Sequence, residues 1–363
     1  MALDKEFFSL VGPTLIEQGE CVAMIAHDKK YYAAKGPVPA KTDAFSPLID
    51  MIEWLNIKNA GTSKSAVLTG KPIYYIGWEL AEHESTLARQ NNWTLDKLGN
   101  KKLQPKDEER LETRIYREGA TREDVPSRAL SGTLATFKLA PLAPGPAVSL
   151  TDQLQKLYML AAFSVASEKA KDRGRVTAIL TGAAGEIWSY GIKSDENAIL
   201  HAEVTTIQNL FINEPAKAQR LKTDQTYLFT TLKPCGMCAA MIAACGAGKI
   251  HVVYGQNDSG EEAAHTCLDG KAGMHHQLAQ DMKLKDPDQK KLINELQVCR
   301  TNFPGGPIVH LLDNTESRNL MRLAHARTVH KVGKYASAQE DSGKKKVMAH
   351  LASFLRSIEV IQA

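Results

Sequence analysis

Thr231-Leu-Lys-Pro-Cys-Gly-Met-Cys-Ala-Ala-Met-Ile242, read together with His201-Ala-Glu203, decides how this chain is organised. His201, Cys235 and Cys238 are of the residue types that hold zinc, and Glu203 is a carboxylate that need not ligate. Cys235 and Cys238 stand three apart at the start of a predicted helix, so both sulfurs fall on one face. The helix N-terminus and a metal ion both favour the thiolate. Cys245 lies seven residues beyond Cys238, about 10 Å along a helix axis, too far to share the same ion. Two cysteines and one histidine leave a fourth position for water. That is the catalytic pattern, since structural zinc is usually closed by four protein ligands. Glu203, two residues from His201, can reach that open position and move protons there. Pro234 keeps a carbonyl acceptor and has no N–H, which suits a backbone oxygen facing an exocyclic amine.

Outward from this stretch, an α-β-β-α-β-α-β order is expected. The first helix spans about 151–171, the strands 176–182 and 186–192 form a hairpin around Ala183-Ala184-Gly185, and a helix spans 201–211. Strand 226–231, helix 235–246 and strand 250–254 follow. Residues 256–306 are long and polar, with a helix predicted over 287–298, and Ile308–Leu312 reads as a strand parallel to 250–254. Two helices, near 317–334 and 344–360, close the chain. Towards the N-terminus, Leu139-Ala-Pro-Leu-Ala-Pro-Gly-Pro-Ala147 is stiff and extended and marks the boundary between residues 1–148 and 149–363. The first half reads as strands at 21–26, 31–34, 66–68 and 72–77. Its helices are predicted over 43–58, capped by Asp43, over 78–90, and as a charged stretch over 106–117. This β-β-α-β-β-α order is either a degenerate copy of the second half that has lost its metal motif, or an unrelated α/β accessory domain. Shared order is only associational, so the second reading is the one expected.

At 363 residues, with 43% hydrophobic and 24% charged residues, the composition is that of a globular protein with room for two cores. No apolar run approaches the roughly 18 residues of a membrane span, so no membrane partner is expected. The six cysteines are too sparse for a disulfide framework, and the N-terminus carries charges where a secretory signal needs an apolar segment. A cytoplasmic setting with reduced thiols is expected.

His201-Ala-Glu-Val, the 231–242 stretch, and His251-Val-Val-Tyr-Gly255 together closely resemble the cytidine deaminase-like superfamily, whose signature is His-x-Glu followed by Pro-Cys-x-x-Cys. The Pro-Cys-x-Met-Cys form looks most like the branch of transfer-RNA adenosine deaminases and bacterial nucleic-acid deaminases. The resemblance covers about residues 150–313 and does not extend to the first 148. It implies a three-layer α/β/α sandwich with a mixed sheet. It also implies Zn2+ on His201, Cys235 and Cys238, Glu203 as the catalytic proton carrier, and hydrolytic release of ammonia from cytosine or adenine. Substrate contacts are implied at Ala202, Pro234 and Asn197, though Asn197 reads equally as a turn residue in Ser194-Asp-Glu-Asn. Lys233 stands where the transfer-RNA enzymes commonly show Glu, which puts a particular substrate in doubt. His265, Cys267, His275 and His276 fit no metal template and are read as surface or pocket-wall residues. Cys21 and Cys299 are read as buried small hydrophobes.

Charge is uneven. Residues 1–150 hold 19 basic and 19 acidic side chains, residues 151–313 hold 17 and 18, and residues 314–363 hold 9 and 4. Arg318, Arg322 and Lys331 fall largely on one side of a helix, which suits either a solvated face or phosphate contact, and Lys233 adds a cation beside the metal motif. Nucleic acid, RNA or single-stranded DNA, is the expected partner. Deamination of free nucleosides, bases or small amines is the alternative, and a nucleic-acid-binding protein with a non-catalytic zinc is the alternative of another class. The first domain is read as a substrate-docking module or a dimerisation surface, the latter implying a homodimer.

Overall fold

Each half of the chain carries a strand hairpin followed by helix–strand repeats, and each closes into its own five-stranded mixed sheet in the computed structural model. The structure describes residues 3–27, 29–60, 71–90, 93–99, 102–127, 138–170, 176–194, 200–256, 266–269, 276–278, 315–336 and 342–362. The chain divides into two compact units, Met1–Thr133 with Glu196–Ile199, and Leu134–Asp195 with Leu200–Ala363.

The first unit runs α1 (Lys5–Leu15), β1 (Glu20–His27), β2 (Lys30–Pro37), α2 (Pro47–Ala60), β3 (Pro72–Ile76), α3 (Glu82–Gln90), β4 (Thr94–Lys97), α4 (Pro105–Glu118) and β5 (Thr121–Asp124). Its sheet order is β4-β3-β1-β2-β5. β1 is antiparallel to β2 and β3, whereas β4 and β5 lie parallel to β3 and β2. Helix α1 has Gly12 and Pro13 inside it and escaped the sequence reading. It forms because Asp4 accepts the Phe7 N–H (2.9 Å) and because Phe7 and Phe8 are fully buried against Tyr31 and Tyr74. Helix α2 starts at Pro47, and its cap is Ser46, whose Oγ accepts the Ile49 N–H (3.2 Å). Asp43, predicted for that role, instead accepts the Ala40 N–H in the preceding turn (2.8 Å). The predicted strand at 66–68 lies outside the described residues.

His83, in the first turn of α3, is buried, and burial lowers its pKa to about 4. The folded chain therefore holds it neutral, while the unfolded chain titrates it near 6.5. Stability is full above about pH 6.5 and is lost as pH falls towards the folded value, by about 3 kcal/mol if the whole shift is realised. Urea unfolding between pH 7 and 4 is expected to show this slope in the wild type and to lose it in His83→Leu. Parallel profiles would refute the burial.

The second unit runs α5 (Asp152–Lys169), β6 (Thr177–Gly182), β7 (Ile187–Ile192), α6 (Ala202–Asn213), α7 (Pro215–Arg220), β8 (Thr226–Leu232), α8 (Gly236–Gly246), β9 (Ile250–Gln256), β10 (His276–Leu278), α9 (Thr315–Ala336) and α10 (Gly343–Ser357). The sheet order is β10-β9-β8-β6-β7, antiparallel from β7 through β6 to β8 and parallel beyond. Every residue of β6, β7 and β8 is buried, as strands covered on both faces require. Successive β8 side chains point to opposite faces. Phe229 stacks on Tyr158 of α5 (centroids 5.1 Å apart), and Thr230 points to α6. This is the expected α/β/α sandwich. Gly185 (φ +82°) closes the β6–β7 hairpin in a conformation that favours glycine. Gly191 lets α6 lie directly on β7, since a Cβ there would sit 2.6 Å from Thr206 N.

Helices α9 and α10 pack against α5, with Ser164 Oγ 2.7 Å from His325 Nδ1. The proline-rich stretch lies in the second unit, where the Ala143 N–H donates to Ser353 Oγ of α10 (3.0 Å). The strand found parallel to β9 is His276–Leu278. The predicted helix at 287–298 and strand at 308–312 lie outside the described residues. Among the described residues, no helix is long and apolar enough to cross a membrane.

Candidate metal centre

Two helix starts meet beside the end of β8. His201 is the N-cap residue of α6, and Cys235 is the N-cap of α8 with Cys238 one turn in. Both caps have extended backbones (ψ 159° and 173°), so each helix begins immediately after its ligand. The imidazole and the thiol of these two caps face each other. His201 Nδ1 lies 3.5 Å from both Cys235 Sγ and Cys238 Sγ, and the sulfurs are 3.7 Å apart.

Tetrahedral coordination with metal–sulfur bonds near 2.3 Å and a metal–nitrogen bond near 2.1 Å requires S···S and N···S edges of about 3.8 and 3.6 Å. The three side chains therefore fit one ion without rearrangement. Among the described residues this is the one group of three or more His, Cys, Asp or Glu side chains that could hold a metal. Cys245, buried further along α8, is not part of it, and neither is Cys267. His265, His275, Cys299 and Asn197 lie outside the described residues, as does the side chain of His276. Cys21 is buried, as a small hydrophobe would be.

Charge at the centre is strained in a way that a cation relieves. A hydrogen bond from Cys238, against the cost of burial, and the neighbouring His201 hold the Cys235 thiol well below its usual value. Burial first, then the charge on Cys235, pushes Cys238 well above its own. Burial opposes protonation of His201, but Cys235 outweighs it and raises the imidazole. One thiolate is thus tolerated and a second is resisted. A metal ion between the sulfurs would allow both.

Glu203 is the second helical residue of α6 and only 2% exposed. Its Oε1 accepts a hydrogen bond from Thr230 Oγ1 (2.7 Å), and its Oε2 lies 3.5 Å from Cys238 Sγ. Burial raises its pKa, with His201 and Thr230 opposing. The carboxylate thus adjoins the ligand set without belonging to it. Thr230 was not singled out from sequence; its one trace there is a hydroxyl in an apolar run. Ala202 and Pro234 are buried within the same two helix starts.

Lys233, expected to meet a polyanion, is 8% exposed, and its ammonium lies 3.5 Å from Asp269. Asp269 also closes its own turn by accepting the Thr266 N–H (2.8 Å). The Lys233 N–H donates to Gln256 O (2.8 Å), so the residue ties β8 to the end of β9 and to the 266–269 turn. The pair is lopsided, since the carboxylate side is 35% exposed. Asp269→Asn would strand a buried ammonium and is expected to cost about 2–3 kcal/mol, against about 1 kcal/mol for Lys233→Met. Equal costs in urea unfolding would contradict this. Of the remaining basic candidates, Arg322 is exposed and Arg318 and Lys331 are half-buried on α9.

A buried carboxylate thus stands next to two thiols and an imidazole on an α/β/α sandwich. Residues 166–280 match the model of the Bd3614-like deaminase family, a span that contains all three ligands and Glu203. No curated protein matches the chain. Among solved structures, a guanine deaminase from Nitrosomonas europaea is similar at 14% identity and a TM-score of 0.29, over 49% of this chain and 87% of its own.

Proposed function

We propose that the second unit is a zinc-dependent hydrolytic deaminase of cytosine or adenine, acting on the base within RNA or single-stranded DNA. The observation that carries the reading is Glu203, held beside the three ligands by Thr230 and not among them. A structural site has no use for a buried carboxylate there. The ligand spacings suit the bond lengths of zinc to sulfur and nitrogen. Zinc, when bound, would supply a Lewis acid that brings the pKa of water at its open position down to roughly 7.

The chain's own part is proton movement and placement. With Oε1 occupied by the Thr230 hydroxyl, Oε2 is the oxygen facing the ligand set. It takes a proton from the attacking water, gives it to the ring nitrogen beside the amine-bearing carbon, and delivers a second to the departing amine, which leaves as ammonia. The carbonyl of Pro234 is the proposed acceptor for the exocyclic amine, and Ala202 a proposed neighbour of the base. Arg318, Arg322 and Lys331 on α9, with Lys344–Lys346 at the start of α10, are the proposed phosphate contacts. In a duplex the target base must be flipped out, whereas a loop presents it ready.

The test is to incubate the protein with total RNA and with single-stranded DNA, and to sequence for C-to-U or C-to-T and A-to-G changes, with Glu203→Ala as the blank. Activity on the polymer is expected to fall steeply between 50 and 200 mM salt, by about 300-fold if some six phosphates of a single strand are contacted. Salt-insensitive turnover of free nucleosides would overturn the polymer reading. Nucleic-acid binding without ammonia release would overturn the deaminase reading.

A further inference from the structure

The two sheets share a topology. In the first unit, β4-β3-β1-β2 has the same order as β9-β8-β6-β7 in the second. The senses agree pair by pair. β1–β2 and β6–β7 are antiparallel hairpins, β1–β3 and β6–β8 are antiparallel, and β3–β4 and β8–β9 are parallel. The helices agree as well. α1 precedes and packs on β1 and β3 as α5 does on β6 and β8; α2 packs on β1 and β2 as α6 does on β6 and β7; α3 meets α2 as α8 meets α6. The sheets differ only in their fifth strands, which are added at opposite edges.

Counting from the helix starts puts residues in register. The N-cap of α2 is Ser46, where α6 has His201, and the N-cap of α3 is Ala81, where α8 has Cys235. One turn into α3 stands Glu84, where α8 has Cys238. The second helical residue of α2 is Leu48, fully buried, where α6 has Glu203. The side chains at two of these starts still touch: Ser46 hydrogen-bonds Glu84, as His201 adjoins Cys238. Glu84 is 2% exposed, and it accepts the Ala81 N–H (2.7 Å) and the Trp78 Nε1–H (3.2 Å). These bonds satisfy a helix start that no metal serves.

We propose that the first unit is a second deaminase core without metal or proton carrier, in which Ser46, Ala81, Glu84 and Leu48 replace the imidazole, the two thiols and the carboxylate in that order, and the Ser46–Glu84–Trp78 hydrogen bonds fill the vacated centre. The proposal rests on reading His201, Cys235 and Cys238 as metal ligands. It predicts one metal ion per chain and a frame that can be given back its ligands.

The test is zinc or cobalt content of the full chain. Wild type is expected to hold one equivalent, and His201→Ala/Cys235→Ala/Cys238→Ala none. Zero in wild type would sink the metal reading of the second unit and is thereby told apart from failure of the present proposal. Ser46→His/Ala81→Cys/Glu84→Cys in the wild-type chain is expected to raise the content from one to two, with thiolate-to-cobalt absorption doubling. A folded variant that stays at one overturns the proposal. Should that variant not fold, the milder Ala81→Cys/Glu84→Cys is expected to add a dithiol that captures one phenylarsine oxide, and its failure to do so counts equally against the proposal.

Discussion

Glu203→Gln is expected to lower turnover by about 10²–10⁴-fold while the protein keeps its metal. The substitution preserves shape, and the amide oxygen can still accept from Thr230 Oγ1, so the carbonyl stays where Oε1 now lies. What is lost is the oxygen facing Cys238, which becomes an NH₂ that can neither take a proton nor release one. Metal content by mass spectrometry and thermal midpoint should match wild type, separating loss of chemistry from loss of fold. A variant with more than a tenth of wild-type turnover would remove Glu203 from the mechanism.

Stripping the metal with a chelator should abolish activity completely and should also soften the second unit. Both thiols of the proposed ligand set are buried, and beside an imidazole they accept only one negative charge comfortably on their own. An ion that binds the folded form at a thousandfold excess over its Kd contributes about 4 kcal/mol. For a unit of this size that corresponds to a fall of roughly 10 °C in Tm. Zinc should restore both readings. Cys238→Ala should behave as the stripped protein does and not respond to zinc. Cys245→Ala should retain one equivalent of metal, because that thiol is not within the ligand group. Loss of metal in Cys245→Ala alone would mean that the centre has four protein ligands and is closed to water.

Much of the second unit could be read directly from its residues. Cys235 and Cys238 share one helix turn, so their pairing follows from local geometry, whereas their meeting with His201 is implied by the family signature. The strands could be read because β6 and β8 are apolar runs bounded by turns. Contacts across long sequence separations left weaker traces. Thr230 is legible only once β8 is known to face α6 on that side, and Lys233 looks like a solvent-facing cation until Asp269 meets it. Helix α1 was hidden by Gly12 and Pro13, because burial of Phe7 and Phe8 outweighs their low helix propensity. The cap of α2 was assigned to Asp43 because aspartate caps well, but that side chain is engaged in the turn at Ala40. In the parallel part of the sheet, the strand beside β9 is a three-residue segment too short to carry a pattern.

Because the ligands occupy an N-cap, an N-cap and a third helical position, the centre is indexed by where helices begin. Inserting one residue within the first turn of α8 would swing Cys238 by about 100° around the helix axis and carry its sulfur off the ion. Point substitution, in contrast, changes what stands at a position without moving it. Descent within such a framework would therefore tolerate exchange of side chains far better than changes of spacing, and a lineage could silence the chemistry while leaving the scaffold intact.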